Sequence, residues 1–161
     1  MTATVSIIIG SDSDMNLAKK CSETLDSLSI DNTINVYSAH RTPELVAEHL
    51  KACEEGGTKV FIAMAGLAAH LAGAVASKTV KPVIGVPGDG GPLQGFDSLL
   101  STVQMPKGVP VATVAIGGAG AVNSAILAAQ IISLSSPEVE EALKKQREES
   151  VKSIEQINKN L

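Results

Sequence analysis

The chain has 161 residues with a formal net charge of −4, two cysteines, one tyrosine, two phenylalanines and no tryptophan. Its length fits a single domain, and the lack of a basic run or a set of aromatic side chains speaks against a nucleic-acid partner. No apolar stretch reaches the ~18 residues of a membrane span, and the first residues lack the basic start of a secretory signal, so we expect a cytoplasmic protein with no membrane partner. Cys21 and Cys53 stand alone in helical patterns, which is typical of reduced thiols.

Five short apolar runs predict five strands, separated by helical patterns. The runs cover residues 4–9, 34–37, 59–65, 82–86 and 111–116. Most of them are continuous rather than alternating, which is typical of parallel strands whose two faces are both covered by helices.

The segments between the runs predict helices over residues 15–28, 43–53, 68–77 and 121–134. The last of these is apolar almost all round, so it should be buried in the core or between subunits. Ser136 and Pro137 then predict the start of a charged helix with a thin apolar stripe. We therefore expect one domain over residues 1–161. It combines a three-layer αβα sandwich over 1–134, whose parallel sheet is doubly wound and flavodoxin-like, with a C-terminal helix over 135–161.

The segment most suggestive of function is Ser38-Ala39-His40-Arg41-Thr42-Pro43, which follows the second predicted strand. Thr42 can cap a helix that starts at Pro43, so His40 and Arg41 fall at the carboxyl end of a strand, where open α/β sheets bind ligands. An imidazole titrates near pH ~6.5 and can exchange a proton at cellular pH. Beside the fixed cation of Arg41, this favours His40 as a catalytic acid and base over a histidine that merely fills a loop.

Polar residues also follow the first predicted strand. The sequence Gly10-Ser11-Asp12-Ser13-Asp14 opens the first helix, so its backbone N–H groups and the helix dipole form a site for a phosphate, while a carboxylate there can accept sugar hydroxyls. Simple capping by serine and aspartate is the alternative. A second alternative makes Asp12 and Asp14 the nucleophile and acid of a magnesium-dependent phosphotransferase, but Asp89 and Asp97 alone supply further metal ligands poorly.

A third strand-to-helix junction, Ala65-Gly66-Leu67-Ala68-Ala69-His70, lies on the same predicted edge of the sheet. Its small residues let the backbone approach a planar ligand closely, whereas His70 is equally compatible with a structural role. The glycine-rich segment 87–95 is a candidate lid, and Gly117-Gly118-Ala119-Gly120 matches only part of a dinucleotide fingerprint. The motifs of P-loop NTPases, zinc hydrolases and serine esterases are absent from the sequence.

Six motifs in order give the chain a resemblance to the PurE family of purine biosynthesis. They are the three junctions above, Pro82-Val83-Ile84-Gly85-Val86-Pro87, the segment 97–106 and Ala119-Gly120-Ala121-Val122-Asn123, and the resemblance spans residues 4–134. The chain departs from the family pattern at Leu67, where a second glycine is usual, at Ala72, where proline is usual, and in the loop after Pro87.

The resemblance implies an enzyme that moves the carboxylate of N5-carboxyaminoimidazole ribonucleotide from the exocyclic nitrogen to ring carbon C4, with no metal or organic cofactor. It implies His40 as the general acid and base, Ser11 and Asp14 at the ribose phosphate end, and Arg41 as a substrate ligand. It also implies a homo-octamer. Further contacts with this small-molecule ribonucleotide are expected from the rest of the three junctions: Gly10, Asp12, Ser38, Ala39, Ala65, Gly66, Ala68, Ala69 and His70.

Two alternatives remain open. The direct carboxylase of the same fold takes CO2 and aminoimidazole ribonucleotide to the same product. It usually has lysine at position 41 and a different run at 68–70, so the mutase is favoured. A non-catalytic flavodoxin-like module is less favoured, because flavin sites usually stack aromatic rings and a phospho-acceptor receiver needs an aspartate where Met64 and Ala65 stand.

Overall fold

A computed structural model describes residues 3–161, which form a parallel sheet covered by helices on both faces. The strands are β1 (Val5–Ile9), β2 (Asn32–Val36), β3 (Val60–Ala65), β4 (Val83–Pro87) and β5 (Ala112–Thr113), in the order β2-β1-β3-β4-β5. Every neighbouring pair is parallel. The chain adds β2 on one side of β1 and then β3, β4 and β5 on the other, so its direction reverses at β1, which is where open α/β sheets bind their ligands.

The six helices of this described region connect the strands and close the fold. They are α1 (Met15–Ser27), α2 (Pro43–Glu55), α3 (Leu71–Ala76), α4 (Phe96–Val103), α5 (Gly117–Ser133) and α6 (Pro137–Lys159), and a short 3-10 helix, Asp12–Asp14, precedes α1. Helices α1 and α5 cover one face of the sheet, while α2 and α3 cover the other. The predicted three-layer, doubly wound α/β sandwich is therefore confirmed.

Strand and helix limits differ from the predictions where polar or small residues obscure the pattern. β2 begins at Asn32 rather than residue 34, because it is an edge strand whose half-exposed positions tolerate polar side chains. β5 shrinks to two residues, since its ladder with β4 joins only Ile84 to Ala112 and Gly85 to Thr113. Helix α3 starts three residues late, α5 starts four residues early, and α4 was not predicted.

The side chains of β1 alternate between two separate apolar clusters. Val5, Ile7 and Ile9 belong to the cluster under α1 and α5, whereas Ile8 belongs to the cluster under α2 and α3. Ser6 is buried, with its side chain directed to α2. One strand therefore supports both helical layers, and the sheet holds the loops at its carboxyl edge on a rigid base.

One side of helix α5 is buried in the core, as one of the two predicted locations requires, and its other side is partly exposed. Its small side chains let α1 approach closely, and those fully buried include Ala121, Ala125, Ala128 and Ala129. Helix α6 packs on α5 through its first turns, where Val139 and Leu143 are buried, and its later turns are exposed. Within residues 3–161, no helix has both the length and the apolar character needed to cross a membrane.

Candidate active site

A cleft of about 890 Å³ lies over the carboxyl edge of the sheet, where the three strand-to-helix junctions meet. The loop after β4 and the first turn of α5 complete its walls. Most of the predicted substrate contacts line this cleft: Gly10, Ser11, Asp14, Ser38, Ala39, His40, Arg41, Ala65, Gly66, Ala68 and His70. Asp12 and Ala69 do not line it, because the Asp12 carboxylate is turned to the Ser11 hydroxyl and Ala69 is buried beneath the surface.

The loop after β1 is closed by local hydrogen bonds. The backbone N–H of Gly10 donates to the carbonyl of Met64 over 3.1 Å, which ties the loop to the end of β3. Ser11 precedes the 3-10 helix, and its hydroxyl oxygen lies 3.4 Å from the backbone nitrogen of Ser13, from which it accepts. The same hydroxyl donates to Asp12 over 3.0 Å. Ser11 therefore caps the 3-10 helix, as the alternative of simple capping predicts, and it also lines the cleft.

Asp14 is the half-buried carboxyl group of this wall. Burial raises its pKa, and the neighbouring carboxylates of Asp12 and Asp89 raise it further, while the Ser11 backbone opposes the shift. Among residues 3–161, no group of three or more His, Cys, Asp or Glu side chains is placed to hold a metal ion. The arrangement therefore suits Asp14 to hydrogen bonding with hydroxyl groups better than to a magnesium centre.

The loop that carries His40 and Arg41 is tied at its base. The Thr42 hydroxyl accepts from the Ser38 N–H over 3.0 Å and donates to the Ser38 carbonyl over 3.1 Å. The Arg41 N–H donates to the Ser38 hydroxyl over 3.2 Å. Thr42 does directly precede α2, which begins at Pro43, but its side chain does not cap that helix. The predicted cap is therefore wrong, since this hydroxyl closes the loop instead.

His40 and His70 meet across the cleft. The distance between His40 Nε2 and His70 Nδ1 is 2.8 Å, and the two rings stand edge to face with centroids 4.9 Å apart. One of these nitrogens must carry the hydrogen and the other must accept it. Both side chains are exposed, so a ligand in the cleft can reach either ring. The sequence left His70 between a structural and a functional role, and the structure pairs it with His40.

Arg41 lies over the end of β1, beside the histidine pair. Its Nη2 donates to the carbonyl of Gly10 over 3.1 Å, which joins the loop after β2 to the loop after β1. This single hydrogen bond leaves most of the donors of the guanidinium fork directed to solvent or a ligand. A cation is thus held next to two exposed imidazoles.

Several cleft residues were not predicted from the sequence. They are Asn16, Leu17, Lys20, Leu71 and Gly118, whereas Ser13 and Leu67 belong to the predicted junctions and Asp89, Gly90 and Gly91 to the predicted lid. On α1, Leu17 lies three residues after Asp14, and Lys20 lies three after Leu17 and four after Asn16, so each of these pairs consists of neighbours on the helix surface.

Glycines at the start of α5 make room for two charged side chains rather than for a dinucleotide. A side-chain carbon on Gly117 would lie 2.6 Å from Oδ2 of Asp89, and one on Gly118 would lie 3.0 Å from Nζ of Lys20. Gly117 also has a φ of +68°, a conformation that favours glycine. The partial fingerprint therefore reflects close packing against the glycine-rich loop and α1.

Comparison with known proteins agrees with this architecture. The family model described as AIR carboxylase matches residues 4–153. The N5-carboxyaminoimidazole ribonucleotide mutase of Pyrococcus abyssi is 52% identical over 145 residues, which cover 90% of this chain and 82% of that protein. The protein of the same name from Pseudomonas aeruginosa is 49% identical over 154 residues, covering 96% and 94%.

Solved structures resemble the whole chain as well. The crystal structure of Treponema denticola PurE superimposes with a TM-score of 0.89 and 32% identity, covering 98% of this chain and 97% of that one. A second crystal structure, of Treponema denticola PurE2-S38D, gives a TM-score of 0.91 at 31% identity, covering 100% and 99%. Because the family model matches most of the sequence, this chain belongs to the AIR carboxylase family, as its resemblance to PurE predicted.

Proposed function

We propose that this chain is an N5-carboxyaminoimidazole ribonucleotide mutase of purine biosynthesis, the activity for which its relatives are named. The reaction moves a carboxylate from the exocyclic nitrogen of the aminoimidazole to ring carbon C4. The observation that carries the proposal is the position of His40, exposed on the cleft and 2.8 Å from His70. A ligand held there can receive a proton from an imidazole and return it.

His40 is the general acid and base in this mechanism. It donates a proton to the exocyclic nitrogen as the bond from that nitrogen to the carboxylate carbon breaks, which releases CO2 within the cleft. Carbon C4 then forms a bond to CO2, and His40 takes the hydrogen from C4 so that the imidazole regains its aromaticity. The proton given in the first step is recovered in the last, so the reaction is balanced without a cofactor or metal.

His70 and Arg41 orient the reacting groups in this proposal. The contact between the two imidazoles fixes the direction of the His40 ring and selects which of its nitrogens carries the hydrogen. Arg41 binds an anionic group of the substrate through its free donors, since its hydrogen bond to Gly10 occupies only one. Asp14 accepts ribose hydroxyls, and Ser11 contributes to the phosphate end beside it.

The protein acts as a homo-oligomer, and the family resemblance indicates an octamer in the cytoplasm. Trapping CO2 requires that water be kept from the cleft, yet His40 and His70 are exposed in the isolated chain. Helix α4 also presents an uncovered apolar row near the loop after β4: Phe96 is 68% exposed, Leu100 55% and Val103 46%. A second copy on the face of α4 would bury this apolar row. Light scattering that returned a stable monomer at micromolar concentration would contradict the oligomer.

A carbon label separates the mutase from the direct carboxylase, which the description of the family model also allows. Substrate labelled in its carboxylate carbon is converted in a large pool of unlabelled bicarbonate, without ATP and with EDTA present. The mutase keeps most of the label, because CO2 passes from nitrogen to carbon inside the cleft. Complete dilution of the label, with rapid turnover of aminoimidazole ribonucleotide and bicarbonate, would establish the carboxylase. Loss of activity in EDTA would contradict both reactions as written.

A further inference from the structure

A third histidine, His49, lies outside the cleft on α2, the helix that follows the loop of His40 and Arg41. We call this loop, residues 38–42, the catalytic loop. His49 is on α2, and its Nε2 is 2.9 Å from the hydroxyl of Ser6 on β1 and 3.4 Å from the sulfur of Cys53 one turn along α2. The His49 ring is tilted against Tyr37, with centroids 4.8 Å apart. This half-buried imidazole therefore connects α2 to β1 and to the residue that follows β2.

The groups around His49 favour a neutral ring. Asn35 donates to the Ser6 hydroxyl over 3.5 Å, so the hydrogen of that hydroxyl is available for Nε2 of His49. Ser6 is only 1% exposed, and in residues 3–161 no other acceptor is within its reach. The facing groups are Ser6 from β1, Asn35 and Tyr37 from β2 and its end, and Cys53 from α2, and none of the described carboxylates pairs with the ring. Burial lowers the pKa of His49.

The same contacts hold both ends of the loop that carries His40 and Arg41. Tyr37 directly precedes Ser38, and its backbone N–H donates to the carbonyl of Ile9 over 2.9 Å. The loop ends at Thr42, where α2 begins. Tyr37 and Ala39 pack against the apolar cluster to which the buried face of α2 contributes. A shift of α2 relative to Tyr37 would therefore change the aim of His40.

We propose that neutral His49 is a positioning residue for the catalytic loop, and that binding of a proton by His49 in mildly acidic solution loosens the loop and lowers turnover. This inference rests on the proposed roles of His40 and Arg41 and adds a regulation of that site. A protonated Nε2 becomes a donor, which leaves the buried Ser6 hydroxyl hydrogen without an acceptor and puts a charge against Tyr37. The contact between α2 and the strands then weakens.

The test compares the pH dependence of turnover in variants that lack the titrating ring. In His49→Gln, the amide oxygen can accept from Ser6 at every pH, so we expect near wild-type activity at pH 7.5. The ratio of kcat/KM at pH 5.5 to that at pH 7.5 should be about threefold higher than in the wild type, which is the size of one buried hydrogen bond. In the control His49→Phe, which keeps a ring on Tyr37, activity should be lower throughout but the ratio should rise likewise.

A purely structural His49 gives a different result. Both variants would then keep the wild-type ratio, which would overturn the proposal. If neither variant folds, NMR of the wild type replaces the kinetics. The backbone amide signal of Tyr37 must shift with pH together with the ring nitrogens of His49. A Tyr37 signal that does not change with pH overturns the proposal. Failure of the proposed function is recognised separately, because His40→Asn would then retain turnover. The ratio of kcat/KM at the two pH values compares turnover in the His49 variants whichever residue transfers the proton, so the two failures are distinguishable.

Discussion

The molecule holds its histidines in two contrasting environments. His40 and His70 are exposed on the cleft and contact each other through ring nitrogens, so a ligand in the cleft can reach either ring. His49 is enclosed by the hydroxyl of Ser6, the thiol of Cys53 and the ring of Tyr37. The difference shows that the groups facing an imidazole determine which chemical role it can have. An exposed pair suits proton transfer, and an enclosed ring with a donor against its nitrogen suits a fixed neutral state.

The strongest way to break this comparison is to remove the exchangeable proton from the cleft. In His40→Asn, the amide still forms hydrogen bonds but cannot take up or release the proton, so kcat should fall by about 10²–10⁴-fold or more, while binding of a product analogue stays near normal. Steady-state kinetics and calorimetric titration measure the two quantities. More than a tenth of wild-type activity in the variant would remove His40 from the acid and base role.

Removing the imidazole of His70 tests whether His40 transfers the proton while His70 only orients it. His70→Asn should lower kcat by roughly 10–100-fold, because a misdirected His40 ring meets the substrate less often in the reactive geometry. KM should change little. A loss as large as that of His40→Asn would instead assign a proton-transfer step to His70.

The cation beside the pair should affect binding rather than chemistry. Arg41→Lys keeps the charge but loses the planar fork that donates to Gly10 and to a ligand, so KM should rise by about 3–10-fold with a smaller change in kcat. Arg41→Lys is the charge-matched control for Arg41→Ala, which should bind substrate more weakly still and show a higher KM. Unchanged kinetics in both variants would place Arg41 outside the substrate site.

The exposed environment was predictable from the sequence, and the enclosed one was not. Continuous apolar runs between helical patterns are sufficient to predict a parallel sheet, and the carboxyl ends of such strands share one edge, which brought His40, Arg41 and the loop after β1 together. His70 could be placed on that edge, but its 2.8 Å contact with His40 depends on side-chain directions in two loops.

Contacts between elements far apart in sequence set the remaining features. His49 follows the pattern of α2, and nothing local connects it with Ser6, which lies 43 residues earlier. The one signal was a serine within the otherwise apolar run of β1, since a buried hydroxyl must find a partner. Helix α4 was missed although Phe96, Leu100 and Val103 have helical spacing, because the side of α4 that faces the core carries the polar residues Ser98 and Thr102.

The smallest expected effect sharpens the comparison through stability. Burial lowers the pKa of His49 in the folded chain, so as the pH falls below about 6.5 the unfolded chain binds the proton first and the folded state loses stability. Above that pH both states hold a neutral ring and the loss is absent. The wild type should therefore lose about 1–3 °C more in Tm than His49→Gln between pH 7.5 and 5.5, measured by scanning calorimetry. His40→Asn is the control, because it removes an imidazole from the cleft and leaves His49 and its contacts in place. Equal shifts in all three proteins would mean that His49 bears a proton in the fold as readily as in the unfolded chain, and the contrast between the two environments would be lost.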